Sequence, residues 1–209
     1  MTSMQSQTRY EMTSGPDRRL ATGSDSRRVR RISVIVACCF LFNTPRSAFS
    51  LNRESAEYPL KLAFLYNFAK FVEWPLASFP SPGAPLAICI VGHNPFSLEI
   101  EDELRARPAG GHPVEFVALK PTDTLNGCHI VFIPVTENDQ AARILTSVKG
   151  LGALTVGESE GFAARGGMIN FTVEDGNVRF EINKLAADRA GLRISSKLLN
   201  LAKVVTEQH

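Results

Sequence analysis

Two short runs of unbroken apolar residues, Leu86–Val91 and Ile130–Ile133, constrain this chain more than any other feature. A strand with one wet face alternates apolar and polar residues, whereas a continuous run demands burial on both faces. Val114–Leu119 and Ala153–Val156 read as two further strands. Between them lie helical patterns: Phe96–Arg105 is short and acidic, and Asn138–Val148 carries Ala141, Ile144, Leu145 and Val148 at helical spacing. Strands alternating with helices imply an α/β fold, with a mostly parallel sheet and helices on both faces. Met168–Val173 and Val178–Ile182 flank Asp175-Gly176, a hairpin signal that adds a C-terminal antiparallel edge.

The first helix is predicted over Glu57–Trp74, with Ser55 as a cap, Pro59 in the first turn and Trp74-Pro75 as the stop. Leu60, Phe64, Phe68 and Phe71 mark one face, and Leu62, Leu65, Tyr66 and Ala69 another. A helix apolar nearly all round is buried on most sides, here in part by another chain. Residues 78–85 form a Pro/Gly loop. A final helix, capped by Ser195 or Ser196, turns Leu198, Leu201, Ala202 and Val205 to the core.

The first 50 residues differ from the rest. They hold eight of the 23 Lys and Arg but three of the 21 acidic residues, which leaves the remainder with 15 basic and 18 acidic side chains. The basic balance therefore belongs to a leader and gives no footprint for nucleic acid. Residues 1–26 are poor in core-forming side chains and read as disordered. Arg27, Arg28, Arg30 and Arg31 then precede the apolar run Ile32–Phe42, too short for a bilayer core but right for a secretory signal. Ala48-Phe49-Ser50 places small residues suitably for a cut after Ser50. Ile35-Val36-Ala37-Cys38 only loosely resembles a lipoprotein box, and Arg27-Arg28 fits a twin-arginine signal poorly. The chain divides into a leader over 1–50 and one α/β domain over 51–209, exported to the periplasm.

Candidate chemistry is sparse. Gly157-Glu158-Ser159-Glu160-Gly161 matches G-x-S-x-G after a strand, as a nucleophile elbow requires. The motif then needs a later His as base, and the one available is the terminal His209, so a Gly-rich turn is the better reading. Gly92, Gly150-Leu151-Gly152 and Gly166-Gly167 match no phosphate-binding pattern. His93, His112, His129 and His209 lack ligand spacing, so no metal or cofactor is expected. Once Cys38 and Cys39 leave with the leader, Cys89 and Cys128 remain, each beside a buried strand. An oxidising compartment favours their disulfide, with two free buried thiols as the alternative. On the hairpin, Phe180 and Ile182 face the core while Arg179, Glu181 and Asn183 share the other face, either as a solvated surface or as a recognition patch.

An ordered set of segments resembles the YfiR/HmsC-like periplasmic proteins. It runs from Ala63-Phe64-Leu65-Tyr66-Asn67-Phe68-Ala69-Lys70-Phe71-Val72-Glu73-Trp74-Pro75 through Ile88–Gly92, Gly127–Ile133 and Leu154–Val156. It continues through Gly166–Phe171 and Val178–Asn183 to Ser195–Ala202, covering about residues 57–205. The resemblance implies a homodimeric regulator without enzymatic activity and supports pairing of Cys89 with Cys128. In the family's named member, the domain restrains an inner-membrane diguanylate cyclase by engaging its periplasmic part. An outer-membrane lipoprotein relieves that restraint by sequestering the regulator, and the output is cyclic di-GMP and biofilm matrix. Partner contact is expected at Phe64, Phe68 and Phe71 on the first helix and at Arg179, Glu181 and Asn183. The competing reading is a periplasmic sensor that binds a small ligand at the strand carboxyl ends.

Export with cleavage near residue 50 makes a direct prediction. Mass spectrometry of periplasmic protein should find an N-terminus near Leu51, whereas full-length protein confined to the cytoplasm would contradict it.

Overall fold

The structure, a computed structural model, describes residues 48–206, with side chains from Glu57 onward. The signal-peptide reading therefore lies largely outside the described residues, as does His209. Helix α1 spans Ala48–Phe71 and is followed by β1 (Val72–Glu73), β2 (Leu86–Val91), α2 (Leu98–Arg105), β3 (Val114–Leu119) and β4 (Ile130–Ile133). Then come a 3-10 turn (Val135–Gln140), α3 (Ala141–Ser147), β5 (Leu154–Gly157), β6 (Ile169–Glu174) and β7 (Asn177–Ile182). The chain closes with α4 (Lys184–Arg189), β8 (Arg193–Ile194), α5 (Ser196–Leu199) and β9 (Lys203–Val204).

Seven strands form one sheet in the order β3-β2-β4-β5-β6-β7-β9, parallel from β3 to β6. This is the mostly parallel α/β sheet that the continuous apolar runs require. Alternate residues of each run enter separate cores. Ile88, Ile90, Ile130, Phe132, Leu154 and Val156 pack with Leu62, Leu65 and Phe68 of α1. Cys89, Val91, Val131 and Ile133 pack on the other face with Ile144 of α3 and with Phe162. Asp175 and Gly176 take φ values of +50° and +77°, the left-handed conformation of a two-residue hairpin turn, and β6 pairs antiparallel with β7 from Ile169↔Ile182 to Glu174↔Asn177.

Both ends of α1 and the end of the final helix differ from expectation, and the helix expected from Asn138 begins at Ala141, after the 3-10 turn. Helix α1 begins before Ser55 and carries Pro59 within it, and a cut after Ser50 would remove only its first three residues. It stops at Phe71 rather than at Trp74, because Val72 and Glu73 pair with Ile194 and Arg193 as a separate two-stranded sheet. The final helix ends at Leu199, leaving Leu201 69% exposed. The open edge of β7 is the reason: Lys203 and Val204 pair with Glu181 and Ile182, and the Val205 N–H donates to the Ile182 carbonyl at 2.9 Å. Unpaired strand groups next to a short helix outcompete further helical turns. The hairpin is therefore not the sheet edge at this end; β9 covers part of it.

A covalent bridge and a buried histidine fasten the segments around β2 and β4. The first is the Cys89–Cys128 disulfide, which links β2 to the turn before β4 across 39 residues. The second is His129, 4% exposed. Its Nδ1 accepts the Ala87 N–H at 3.1 Å, so the proton sits on Nε2, which donates to the Ser78 carbonyl at 3.1 Å. Phe79 stacks on the rings of both His129 and His112, with centroids 4.4 and 3.8 Å away. Burial pushes the His129 pKa below 6.5; the Ser78 bond opposes that shift and the neighbouring His112 adds to it.

Opening the disulfide with Cys89→Ala and Cys128→Ala should cost about 4 kcal/mol by the chain-entropy model, or roughly 10 °C in Tm. Calorimetry checks this, and an unchanged Tm would show that the bridge constrains little. Because His129 is held neutral, its contribution is complete above the unfolded-state pKa near 6.5 and is lost as pH falls below it. Between about pH 7.5 and 5.5 the wild-type Tm should fall by roughly a few degrees more than that of His129→Gln. Equal slopes would remove His129 as the cause.

Candidate functional site

The aromatic residues of α1 do not form an outward face. Phe68 is fully buried, with ring centroids 5.7 Å from Phe171 and 5.3 Å from Phe180. Phe64 packs on the same two rings at 6.1 and 5.3 Å, and Phe71 is half-buried against the same core. The hairpin therefore covers Phe64 and Phe68, two of the side chains expected to receive another chain. The apolar excess at Phe64 and Phe68 serves intramolecular packing, and the partner role expected for those two side chains is withdrawn.

Asn183 is also misassigned as a surface contact. It has no solvent exposure and caps α4: Oδ1 accepts the Ala186 N–H at 3.0 Å, and Nδ2 donates to the Ala163 carbonyl at 2.9 Å. An Asn at the end of an alternating strand keeps the polar spacing whether it faces water or caps a helix, so spacing could not separate the two roles.

Arg179 and Glu181 do share one face of the hairpin. Register places Thr172 opposite Arg179 and Asn170 opposite Glu181 on that same face. Glu181 accepts from Lys203 Nζ at 2.9 Å, and this bond and the attraction of the carboxylate raise the Lys203 pKa above its ordinary 10.5. Arg179 is exposed and makes no hydrogen bond or ion pair among the described residues. The strip thus presents one uncommitted guanidinium beside a carboxylate–ammonium pair. Val204, 56% exposed, pairs with Ile182 and so lies on the other face of the sheet. Sequence reading missed Lys203 because it placed that residue on a helix.

The Gly157-to-Gly161 segment is built for packing. A Cβ at Gly157 would lie 2.6 Å from the Phe162 ring, and one at Gly167 would lie 2.1 Å from it, so both glycines make room for that buried ring. Ser159 is 8% exposed, and its Oγ accepts from Arg165 Nη2 at 3.1 Å. A guanidinium does not take a proton from a hydroxyl. His112 and His129 belong to the Phe79 stack beside the amino ends of β2–β4. Among the described residues no group of His, Cys, Asp and Glu is placed to hold a metal ion.

Cavities flank the sheet toward the carboxyl and amino ends of α1. A cleft of about 680 Å³ lies at the amino ends of β2 and β3, lined in part by Trp74, Phe79 and His112. A second, of about 500 Å³, lies beyond β5 between α1 and β6. At the carboxyl ends of β2 and β4, where strand order reverses, the Glu137 carboxylate lies against Gly92, where a Cβ would sit 2.2 Å from it.

The sequence of β2–β7 and its flanking elements matches the YfiR/HmsC-like family model over residues 58–203. No functionally curated protein matches the chain. Among solved structures, a conserved domain protein from Vibrio cholerae O1 biovar El Tor is similar at 11% identity and a TM-score of 0.48. That alignment covers 71% of this chain and 60% of the other. The ABC domain from Streptococcus pneumonia, solved in complex with L-Trp, is similar at 12% identity and a TM-score of 0.45, over 67% of this chain and 60% of the other. The family match spans the α1 aromatic segment, both cysteines, the hairpin and the start of β9, and the chain belongs to the YfiR/HmsC-like family.

Proposed function

We propose that this protein is a periplasmic, non-enzymatic regulator that binds and restrains a membrane-bound signalling enzyme, a diguanylate cyclase, and so controls cyclic di-GMP and biofilm formation. The observation that carries this reading is the family match over residues 58–203, whose members are consistent with periplasmic control of cyclic di-GMP signalling. Two features support it. Among the described residues, no helix is long and apolar enough to cross a membrane. The serine of the G-x-S-x-G segment is bonded to an arginine in a turn shaped by Phe162.

The partner-facing surface in this proposal is the hairpin strip of Arg179 and Glu181, now with Lys203 beside them. A regulator shifts its partner's activity only if it binds the inactive conformation better than the active one. A difference of about 1–3 kcal/mol corresponds to roughly 5–150-fold. Uncommitted charge at the rim of such a contact sets partner choice and association rate. The proposal retains a homodimer and an outer-membrane lipoprotein as further partners.

Deleting the gene should raise cellular cyclic di-GMP in cells that carry a periplasm-facing cyclase. Wild type should restore the low level, and Arg179→Glu or Glu181→Lys, at normal abundance, should restore it only in part. An unchanged level on deletion would contradict the regulatory role, and full restraint by both folded variants would remove the hairpin strip.

A further inference from the structure

We propose that the exposed turn Leu125–Cys128 is a site of spontaneous covalent modification, at which Asn126 loses its side-chain amide and leaves aspartate and isoaspartate beside the disulfide. This inference is independent of the regulatory role, since it concerns the chemistry of one turn.

Asn126-Gly127 is the one Asn-Gly pair in the sequence. A glycine after asparagine leaves the next backbone nitrogen least hindered toward the side-chain carbonyl, because no Cβ stands beside that nitrogen. The pair reacts only if the side chain is not held, the nitrogen is not bonded and the intervening peptide has room to rotate.

The turn meets all three conditions. Asn126 and Gly127 are both exposed. The Asn126 side-chain amide and the Gly127 N–H make no hydrogen bond among the described residues. A Cβ built on Gly127 would meet no atom within 4 Å, and φ there is +83°. The turn closes through the Cys128 N–H, which donates to the Leu125 carbonyl at 3.2 Å and so bypasses the Asn126–Gly127 peptide. Other asparagines fail one condition or another. Asn170 and Asn183 are buried, and Asn94 precedes Pro95, which has no N–H to attack with. The exposed Asn138, Asn177 and Asn200 precede Asp139, Val178 and Leu201, whose side chains crowd the nitrogen.

The reaction needs only water. The Gly127 nitrogen gives its proton to solvent and bonds to Asn126 Cγ. The Cγ–Nδ2 bond breaks, ammonia collects a proton as it leaves, and a cyclic imide remains. Water then opens the ring at one of its two carbonyls. Opening at Cγ gives aspartate. Opening at the main-chain carbonyl gives isoaspartate, and the backbone then runs through Cβ, one methylene longer.

Placement decides the consequence. Leu125 is 5% exposed and Cys128 7%, both in the second core, and Cys128 is tied to Cys89. A methylene added between two held ends forces the turn to bulge, whereas aspartate adds charge alone.

The test incubates the exported chain, purified from the periplasm with its disulfide intact, in mildly alkaline buffer at about 37 °C beside a synthetic peptide of residues 120–132. Peptide mapping should find both aspartate and isoaspartate at position 126, with the amides of Asn138, Asn177 and Asn200 retained. Asn126→Ser should lose this acidic species entirely. Calorimetry of the separated isoaspartyl form should give a Tm below wild type, while Asn126→Asp, with the same charge and an ordinary backbone, stays near it. An intact Asn126 amide in the folded chain after the peptide has fully reacted would overturn the proposal. Aspartate without any isoaspartate would overturn the imide route, and an isoaspartyl form as stable as Asn126→Asp would overturn the effect on the turn.

Discussion

Phe68 sits with no solvent exposure between Phe171 and Phe180, and much of the remaining architecture depends on that contact. It joins the first helix to the C-terminal hairpin, elements at opposite ends of the described chain. With α1 held on one face of β6 and β7, the other face of the hairpin presents Arg179, Glu181 and Thr172. The same docking brings Glu57, Tyr58 and Lys61 to Glu158 beyond the end of β5. It also delivers Val72 and Glu73 to Ile194 and Arg193, so the chain leaving α1 is tied to the segment after α4.

The opposite face is secured by different means. Cys89 and Cys128 belong to the second core, beside Val131, Ile133 and Phe162. The polar atoms there have paired roles: Thr155 Oγ1 accepts the Met168 N–H at 3.0 Å, and Asn183 bonds both Ala163 and Ala186. Buried polar groups satisfied in this way are nearly neutral for stability but leave few alternative packings. Against that background the unpartnered Asn170 and Thr172 atoms stand out, because the rest of the hairpin neighbourhood is so fully bonded.

Much of this was legible from residue pattern alone, for identifiable reasons. Ile88/Ile90 against Cys89/Val91 is a run with no polar member, and only a two-sided burial accepts it. Asp175-Gly176 is legible because few residue pairs tolerate two consecutive left-handed conformations. What escaped is where two structures share one pattern. Leu198, Leu201, Ala202 and Val205 have helical spacing, but the open edge of β7 captures Lys203 and Val204. Asn183 keeps strand alternation while acting as a helix cap. Phe64 and Phe68 look too apolar for one chain because the hairpin that covers them lies far along the sequence. Lys61 left no trace in the pattern, because a lysine among apolar helical residues gives no hint of a buried carboxylate supplied by another loop. Long-range contacts are the common element in each of these cases.

The central claim is that the chain acts by binding a membrane signalling enzyme through the outer face of its hairpin. Site-specific photo-crosslinking in living cells addresses it most directly, with the photoreactive residue placed at Arg179 and, as a control on the far edge strand, at Glu115. The claim predicts a crosslinked product from position 179 that mass spectrometry identifies as an inner-membrane protein carrying a diguanylate cyclase domain, with none from position 115. Equal capture from both positions, or no membrane product from position 179 in cells expressing such a cyclase, would contradict it.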